Sequence, residues 1–156
     1  ATTVPASGLT KSGRIMTDNE SEVAADPIFF NGTVMRGEPA HSNLAGTHFL
    51  EETATAPKYR LFSINNEYPA MLEATGEEGV SVDGELYLVP IEVWPRVLAA
   101  EPPGLSREEI ELIDGRVVYG IVGSETLVSD KGHDISEFGG WRRFLRHLRS
   151  IESSGA

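Results

Sequence analysis

The sequence predicts an α+β domain built on a curled, mainly antiparallel sheet with flanking helices. Three observations carry that expectation. A hairpin signature runs from Glu109 to Val122, apolar residues at helical spacing occupy only two stretches, 91–100 and 141–151, and the other apolar runs are short and strand-like. Their order is strand, loop, short helical turn, several strands, helix, hairpin, helix. That order lacks the regular strand–helix alternation of a doubly wound parallel fold.

Residues 1–26 are rich in Ser, Thr, Ala and acids and hold almost no large apolar side chain. They read as a flexible leader ahead of a single domain over 27–152. At Pro27 the composition changes. Ile28, Phe29 and Phe30 form an apolar run, expected as a buried strand, which ends in a tight loop at Asn31-Gly32. Pro39 to Leu44 reads as a short helical turn. Segments 47–55 and 58–64 read as strands split by Pro57, with Tyr59, Leu61 and Ser63 on one face, and 68–74 as a further short strand. The acidic turn Gly76-Glu77-Glu78-Gly79 leads into Val80 to Pro90, where β-branched residues surround Asp83-Gly84.

Ile91, Trp94, Val97 and Leu98 predict an amphipathic helix over 91–100, stopped by Pro102-Pro103-Gly104. Ile110 and Leu112 alternate with Glu109 and Glu111, Asp114-Gly115 makes a two-residue turn, and Val117 to Val122 returns as the second strand of a β-hairpin. Phe138-Gly139-Gly140 precedes a final helix, Trp141 to Ile151, whose apolar side carries Trp141, Phe144, Leu145 and Leu148.

Composition narrows the chemistry. The chain has no cysteine among its 156 residues, which excludes disulfides, cysteine nucleophiles and thiolate metal sites. With 24 Asp and Glu against 13 Lys and Arg, the net charge of −11 repels phosphate backbones, so no nucleic-acid partner is expected. No apolar run is long enough to cross a membrane as a helix, and Ala1 to Glu22 lacks the apolar stretch of a secretory signal. A cytoplasmic location is the expectation. Four of the basic residues, Arg142, Arg143, Arg146 and Arg149, sit close together. They read either as a solvated helix face or as a contact for an acidic partner or a second copy of the chain.

Two candidates for chemistry stand out. The loop Asn31-Gly32-Thr33-Val34-Met35-Arg36-Gly37 follows an apolar strand, and a Gly at its tightest point can expose consecutive backbone amides to a carboxylate. Thr33 adds a hydroxyl and Arg36 a positive charge. The same Asn-Gly pair is also ordinary turn chemistry. Glu101 ends the 91–100 helix, just before two prolines. A carboxyl half-buried at such a junction has a raised pKa and can shuttle a proton, whereas a solvated glutamate at a helix end does neither. His41, His48, His133 and His147 show no metal-ligand spacing, so no metal and no cofactor are expected, although His41 lies near the loop. Asp130, His133 and Asp134 lack the regular oxygen ligands of a calcium loop, and Asp134 is expected to cap the final helix or a turn before it. Ser63 and Ser106 lack the elbow glycines of a hydrolase nucleophile.

Taken together these motifs form a resemblance. Phe30 to Gly37 resembles the strand and loop that open the γ-glutamylcyclotransferase-like superfamily. Ala56-Pro57-Lys58-Tyr59-Arg60-Leu61, Val82-Asp83-Gly84-Glu85-Leu86-Tyr87, Ile110-Glu111-Leu112 with Asp114-Gly115-Arg116, and Asp134-Ile135 with Phe138-Gly139-Gly140-Trp141-Arg142 are similar to the C-terminal domain of allophanate hydrolase. The match runs in order over residues 28–147. It implies a small mixed barrel with flanking helices and a cavity beside the Gly loop. In cyclotransferases the loop holds the glutamyl carboxylate and amine while a glutamate moves protons, and Glu101, after Val97-Leu98-Ala99-Ala100, falls near that glutamate's place. The chain departs from that pattern at Asn31, where the family has Tyr, and at Pro102-Pro103, where it has Gly.

Two functions follow as expectations. The first is a domain that binds a small carboxylate-bearing metabolite, of γ-glutamyl or ureido/carbamate type, through Asn31, Gly32, Thr33, Val34, Met35 and Arg36, with Glu101 assisting cyclotransferase or lyase chemistry. The second is a non-catalytic assembly module, paired with itself as a homodimer or with a separate amidase-type enzyme. The Ser-Ser-Lys amidase machinery of allophanate hydrolase is absent from these 156 residues, so a free-standing version is the expectation.

Overall fold

Nine strands lie among the residues that the computed structural model describes, 13–16, 22–75 and 78–154. They are β1 (Gly13–Met16), β2 (Glu22–Phe30), β3 (His48–Ala54), β4 (Tyr59–Ile64), β5 (Tyr68–Glu73), β6 (Asp83–Pro90), β7 (Leu105–Glu111), β8 (Val117–Gly123) and β9 (Gly132–Asp134). The larger sheet runs β3-β6-β2-β8-β7, with β1 also paired to β2; the smaller runs β5-β4-β9. Every pairing is antiparallel except β2 with β8. The α+β, mainly antiparallel expectation holds. The barrel is an open one: the strands form two sheets that meet where β8 passes β5, so close that a Cβ on Gly123 would sit 2.8 Å from the Ala70 Cβ.

The run Ile28-Phe29-Phe30 is apolar at every position because β2 is buried on both faces. Phe29 joins one core with Leu61, Met71, Leu86 and Trp141. Ile28 and Phe30 join a second with Leu44, Tyr87, Trp94 and Ile121. That is the period-2 alternation of a strand, here with a hydrophobic layer on each side. β6 lies so close to β2 that a Cβ on Gly84 would come within 2.4 Å of the Phe30 carbonyl oxygen and of the Phe29 ring. Asp83-Gly84 is thus a close approach of two strands.

Several boundaries differ from expectation. β2 begins at Glu22, ahead of Pro27; Ala25 is buried and Asp26 accepts a 3.1 Å hydrogen bond from the Trp94 indole. Residues 1–12 and 17–21 of the expected leader lie outside the described residues. The 91–100 helix divides into a 3-10 turn, Ile91–Val93, and the α-helix α1, Trp94–Ala99, with Pro95 in the first turn where no N–H is required. Trp94 and Val97 are buried but Ile91 is exposed, so the apolar stripe is narrower than its spacing implied. In the β7–β8 hairpin the Leu112 N–H donates to the Arg116 carbonyl and Gly115 has φ +92°. The loop therefore spans Ile113, Asp114 and Gly115, a three-residue loop with Gly in the left-handed position.

Two elements carry no sequence signal. Helix α2 (Glu125–Lys131) has no buried residue, so it shows no apolar period; Ser124 caps it, accepting the Leu127 N–H at 3.1 Å. Strand β9 is three residues of Gly, His and Asp. Helix α3 (Trp141–Ser154) extends slightly past its expected end, with Trp141 and Phe144 buried and Leu145 and Leu148 partly so.

Candidate functional site

The parallel pairing of β2 and β8 brings their C-terminal ends to one edge of the large sheet, and the 31–37 loop leaves from there. Helix α1 packs through Trp94 and Val97 onto the same core as Phe30 and Ile121. Its last turn ends at Glu101, whose N–H donates to the Leu98 carbonyl. Pro102 and Pro103 then turn the chain through Gly104, at φ +90°, into β7.

These elements place Glu101 and the front of the loop in one cavity. Asn31, Gly32, Thr33 and Val34 line it together with Glu101, and its remaining walls are Phe30, Tyr68, Pro69, Leu105 and Ile121. The enclosed volume is about 20 Å³, room for a single water. The Glu101 carboxyl has no hydrogen-bond or ion-pair partner among the described residues, and burial among these apolar groups pushes its pKa up to about 7. The backbone N–H groups of Gly32, Thr33 and Val34 likewise make no hydrogen bond to protein among the described residues. Gly32 is required here by contact, since a Cβ would lie 2.9 Å from the Pro69 ring.

The second half of the loop does not join this cavity. Met35 is buried in the other core, its N–H bonded to the Gly32 carbonyl. Arg36, expected to offer its charge to a ligand, is held instead by Glu85, a fully buried carboxylate of β6. The Arg36 N–H donates to Glu85 Oε1 at 2.9 Å and its Nε to Oε2 at 3.0 Å, while Tyr87 Oη donates at 2.8 Å and Arg142 Nη2 at 3.2 Å. Burial alone would raise the Glu85 pKa; these donors outweigh it and hold the carboxyl below its ordinary value. Arg142 also donates to the Arg36 carbonyl and pairs with Glu38 at 3.6 Å, so α3 braces the loop from outside.

Glu85, Tyr68 and Pro69 were not among the sequence candidates. Glu85 left one signal: a carboxylate at the start of the apolar run Leu86 to Val89, on the same face as Tyr87, must find donors when buried. Tyr68 and Pro69 reach the site through the packing of two sheets, which no local pattern records. The His41 ring donates from Nδ1 to the Val34 carbonyl at 2.9 Å, so it supports the loop. His147 stacks near Phe138 and Asp134 accepts the Ser136 N–H at 2.9 Å, the turn before α3 that was expected. Among the described residues no three His, Asp or Glu gather as a metal site.

The sequence profile of the allophanate hydrolase C-terminal domain matches residues 27–146. Urea amidolyase of Saccharomyces cerevisiae is 26% identical over 129 residues, which is 78% of this chain and 7% of that enzyme. The chain thus corresponds to a small part of its curated relative. Among solved structures, a uropathogenic E. coli-specific protein is 35% identical with a TM-score of 0.75, the match covering 79% of this chain and 97% of that one. Kluyveromyces lactis allophanate hydrolase shares the fold at 21% identity and a TM-score of 0.75, over 85% of this chain and 22% of the enzyme. A mouse AIG2-like protein shares it at 23% identity and a TM-score of 0.53, over 66% of this chain and 78% of that one. The fold is accordingly γ-glutamylcyclotransferase-like.

Proposed function

The chain belongs to the allophanate hydrolase C-terminal domain family, and from that membership and the geometry of the cavity we propose that it binds a small carboxylate-bearing metabolite, of γ-glutamyl or ureido/carbamate type, at residues 31–34. Glu101 serves there as the proton carrier. The observation that supports this reading is that Glu101, whose carboxyl has no partner among the described residues, lines the same cavity as Gly32, Thr33 and Val34, whose N–H groups make no hydrogen bond among them either. With a pKa of about 7, Glu101 populates both of its forms at neutral pH, the condition for accepting a proton at one step and returning it at the next. In a cyclotransferase reaction the carboxylate takes the proton of the attacking amine and hands it to the leaving amine. In a lyase reaction on a carbamate the neutral acid protonates the nitrogen as its bond to carbon dioxide breaks. Loop amides act on the substrate carboxylate in both cases. A cytoplasmic location belongs to the same proposal.

Glu101→Gln keeps shape and removes the titrating proton. Turnover of γ-glutamyl amides or ureido acids is expected to vanish in this variant with the fold intact, and unchanged turnover would overturn the assignment. A second reading, an assembly module for itself or an amidase-type enzyme, is supported by Arg146 and Arg149, exposed on α3 and without an ion pair among the described residues. It expects a complex that dissociates as salt rises. A monomer at every salt concentration, with no association to an amidase, counts against it.

A further inference from the structure

We propose that Tyr68 closes the mouth of the Glu101 cavity and sets the size of ligand that reaches the carboxyl; this deepens the ligand-site reading above and rests on it. The cavity holds about one water as it stands, so a larger ligand enters only if a wall moves. Phe30, Val34, Pro69 and Ile121 form its buried floor, while Thr33, Leu105, Glu101 and Tyr68 reach solvent. Tyr68 is the bulkiest of these four.

The other walls are tied down. Phe30 and Ile121 lie within paired strands of the large sheet. The loop is held by Met35 N–H on the Gly32 carbonyl, Ala40 N–H on the Thr33 carbonyl and His41 on the Val34 carbonyl. Glu101 sits between a helix end and two prolines. Leu105 pairs with Gly123. Tyr68 opens β5, paired to Ile64 of β4 on the edge of the small sheet, as Leu105 opens the edge strand β7; it differs from Leu105 in the size of its ring, and its hydroxyl makes no hydrogen bond among the described residues. On this proposal the partly exposed ring is the wall that swings, while Pro69, buried against Gly32, stays in place.

The test is a titration with formate, acetate and butyrate, followed by the amide resonances of Gly32, Thr33 and Val34, in the wild type, Tyr68→Ala and Tyr68→Phe. In the wild type affinity is expected to fall steeply with chain length. In Tyr68→Ala the formate-to-butyrate ratio is expected to drop by at least about tenfold, and Tyr68→Phe is expected to match the wild type because the ring remains. An unchanged ratio in Tyr68→Ala, or a Tyr68→Phe variant that behaves like Tyr68→Ala, overturns the proposal. Tyr68→Leu serves if the alanine variant folds poorly. Should no carboxylate bind to any variant, the ligand reading fails and the Glu101 titration still decides about Tyr68. Opening the mouth admits water, so the carboxyl, at about 7 in the wild type, moves down towards 4.5 in Tyr68→Ala. A carboxyl that titrates at the same pH in both proteins overturns the proposal on its own.

Discussion

Replacing Glu101 with Gln should make the protein more stable above neutral pH, although it removes the residue proposed to carry the proton. In the folded chain the carboxyl titrates at about 7, against 4.5 for an unperturbed glutamate, and burial is the cause. Between those two values the folded chain holds a proton that the unfolded chain has released, so stability falls as pH rises through this window and levels off above it. At 1.36 kcal/mol for each tenfold change, the difference amounts to about 3 kcal/mol at most, since the side chain keeps some contact with solvent. Gln resembles the neutral acid in shape and does not titrate. The two proteins should therefore be equally stable near pH 4, below the window, with the variant ahead by about 2 to 3 kcal/mol near pH 8. Urea unfolding followed by the fluorescence of Trp94 and Trp141, both buried, measures this directly. A stability difference that stays flat from pH 4 to pH 8 would refute the claim that the carboxyl is desolvated and unpartnered.

Glu85 predicts the opposite limb. Its folded pKa lies below the ordinary value, so its contribution is present above about 4.5 and is lost as pH falls through the folded value; an acid-unfolding curve of Glu85→Gln should lack that limb. Glu85→Ala leaves Arg36, Arg142 and Tyr87 without their acceptor and should cost about 3 kcal/mol, the lower end for a broken buried pair because both arginines are partly solvated; a loss under about 1 kcal/mol in urea unfolding would contradict the buried network. Gly32→Ala drives a methyl against the Pro69 ring and should cost about 1 to 3 kcal/mol, read in the same way. Ser124→Ala removes the α2 cap and should cost about 1 kcal/mol, with faster amide exchange confined to the start of that helix.

What the sequence disclosed and what it withheld follow from the range of the interactions involved. The β7–β8 hairpin was legible because alternation and a Gly turn are local, yet its loop length was not, since Asp114-Gly115 fits two-residue and three-residue loops alike. Ile28-Phe29-Phe30 announced a buried strand without revealing that two different cores claim alternate residues. Helix α2 stayed hidden because it buries nothing, and a helix without an apolar face has no period to read. Asn31 to Val34 and Glu101 were singled out from a Gly loop and a helix end, and the structure brings them to one cavity. Met35 and Arg36 were grouped with them by adjacency alone, and the loop's turn sends them elsewhere. Tyr68 and Pro69 lie more than thirty residues from either neighbour in sequence and become visible only when the two sheets meet.

The two carboxylates explain each other. Glu85 is fully buried, Glu101 is partly buried and both abut the 31–37 loop, yet one is held as the anion and the other is pushed towards the neutral acid. The difference lies in donors. Glu85 receives four hydrogen bonds from three residues, one of them the backbone N–H of Arg36, so it pins the far end of the loop and uses up the positive charge there. At the near end the Gly32, Thr33 and Val34 amides and the Glu101 carboxyl have no hydrogen-bond partner among the described residues. Had Arg36 turned towards Glu101, the pair would have held that carboxyl charged at neutral pH and removed its use as a proton carrier. Anchoring the loop on Glu85 therefore does two things at once: it fixes the loop backbone and keeps the cation away from the carboxyl proposed to carry the proton. Opposite environments at the two ends of one loop thus separate a structural charge at Glu85 from the proton proposed to move at Glu101.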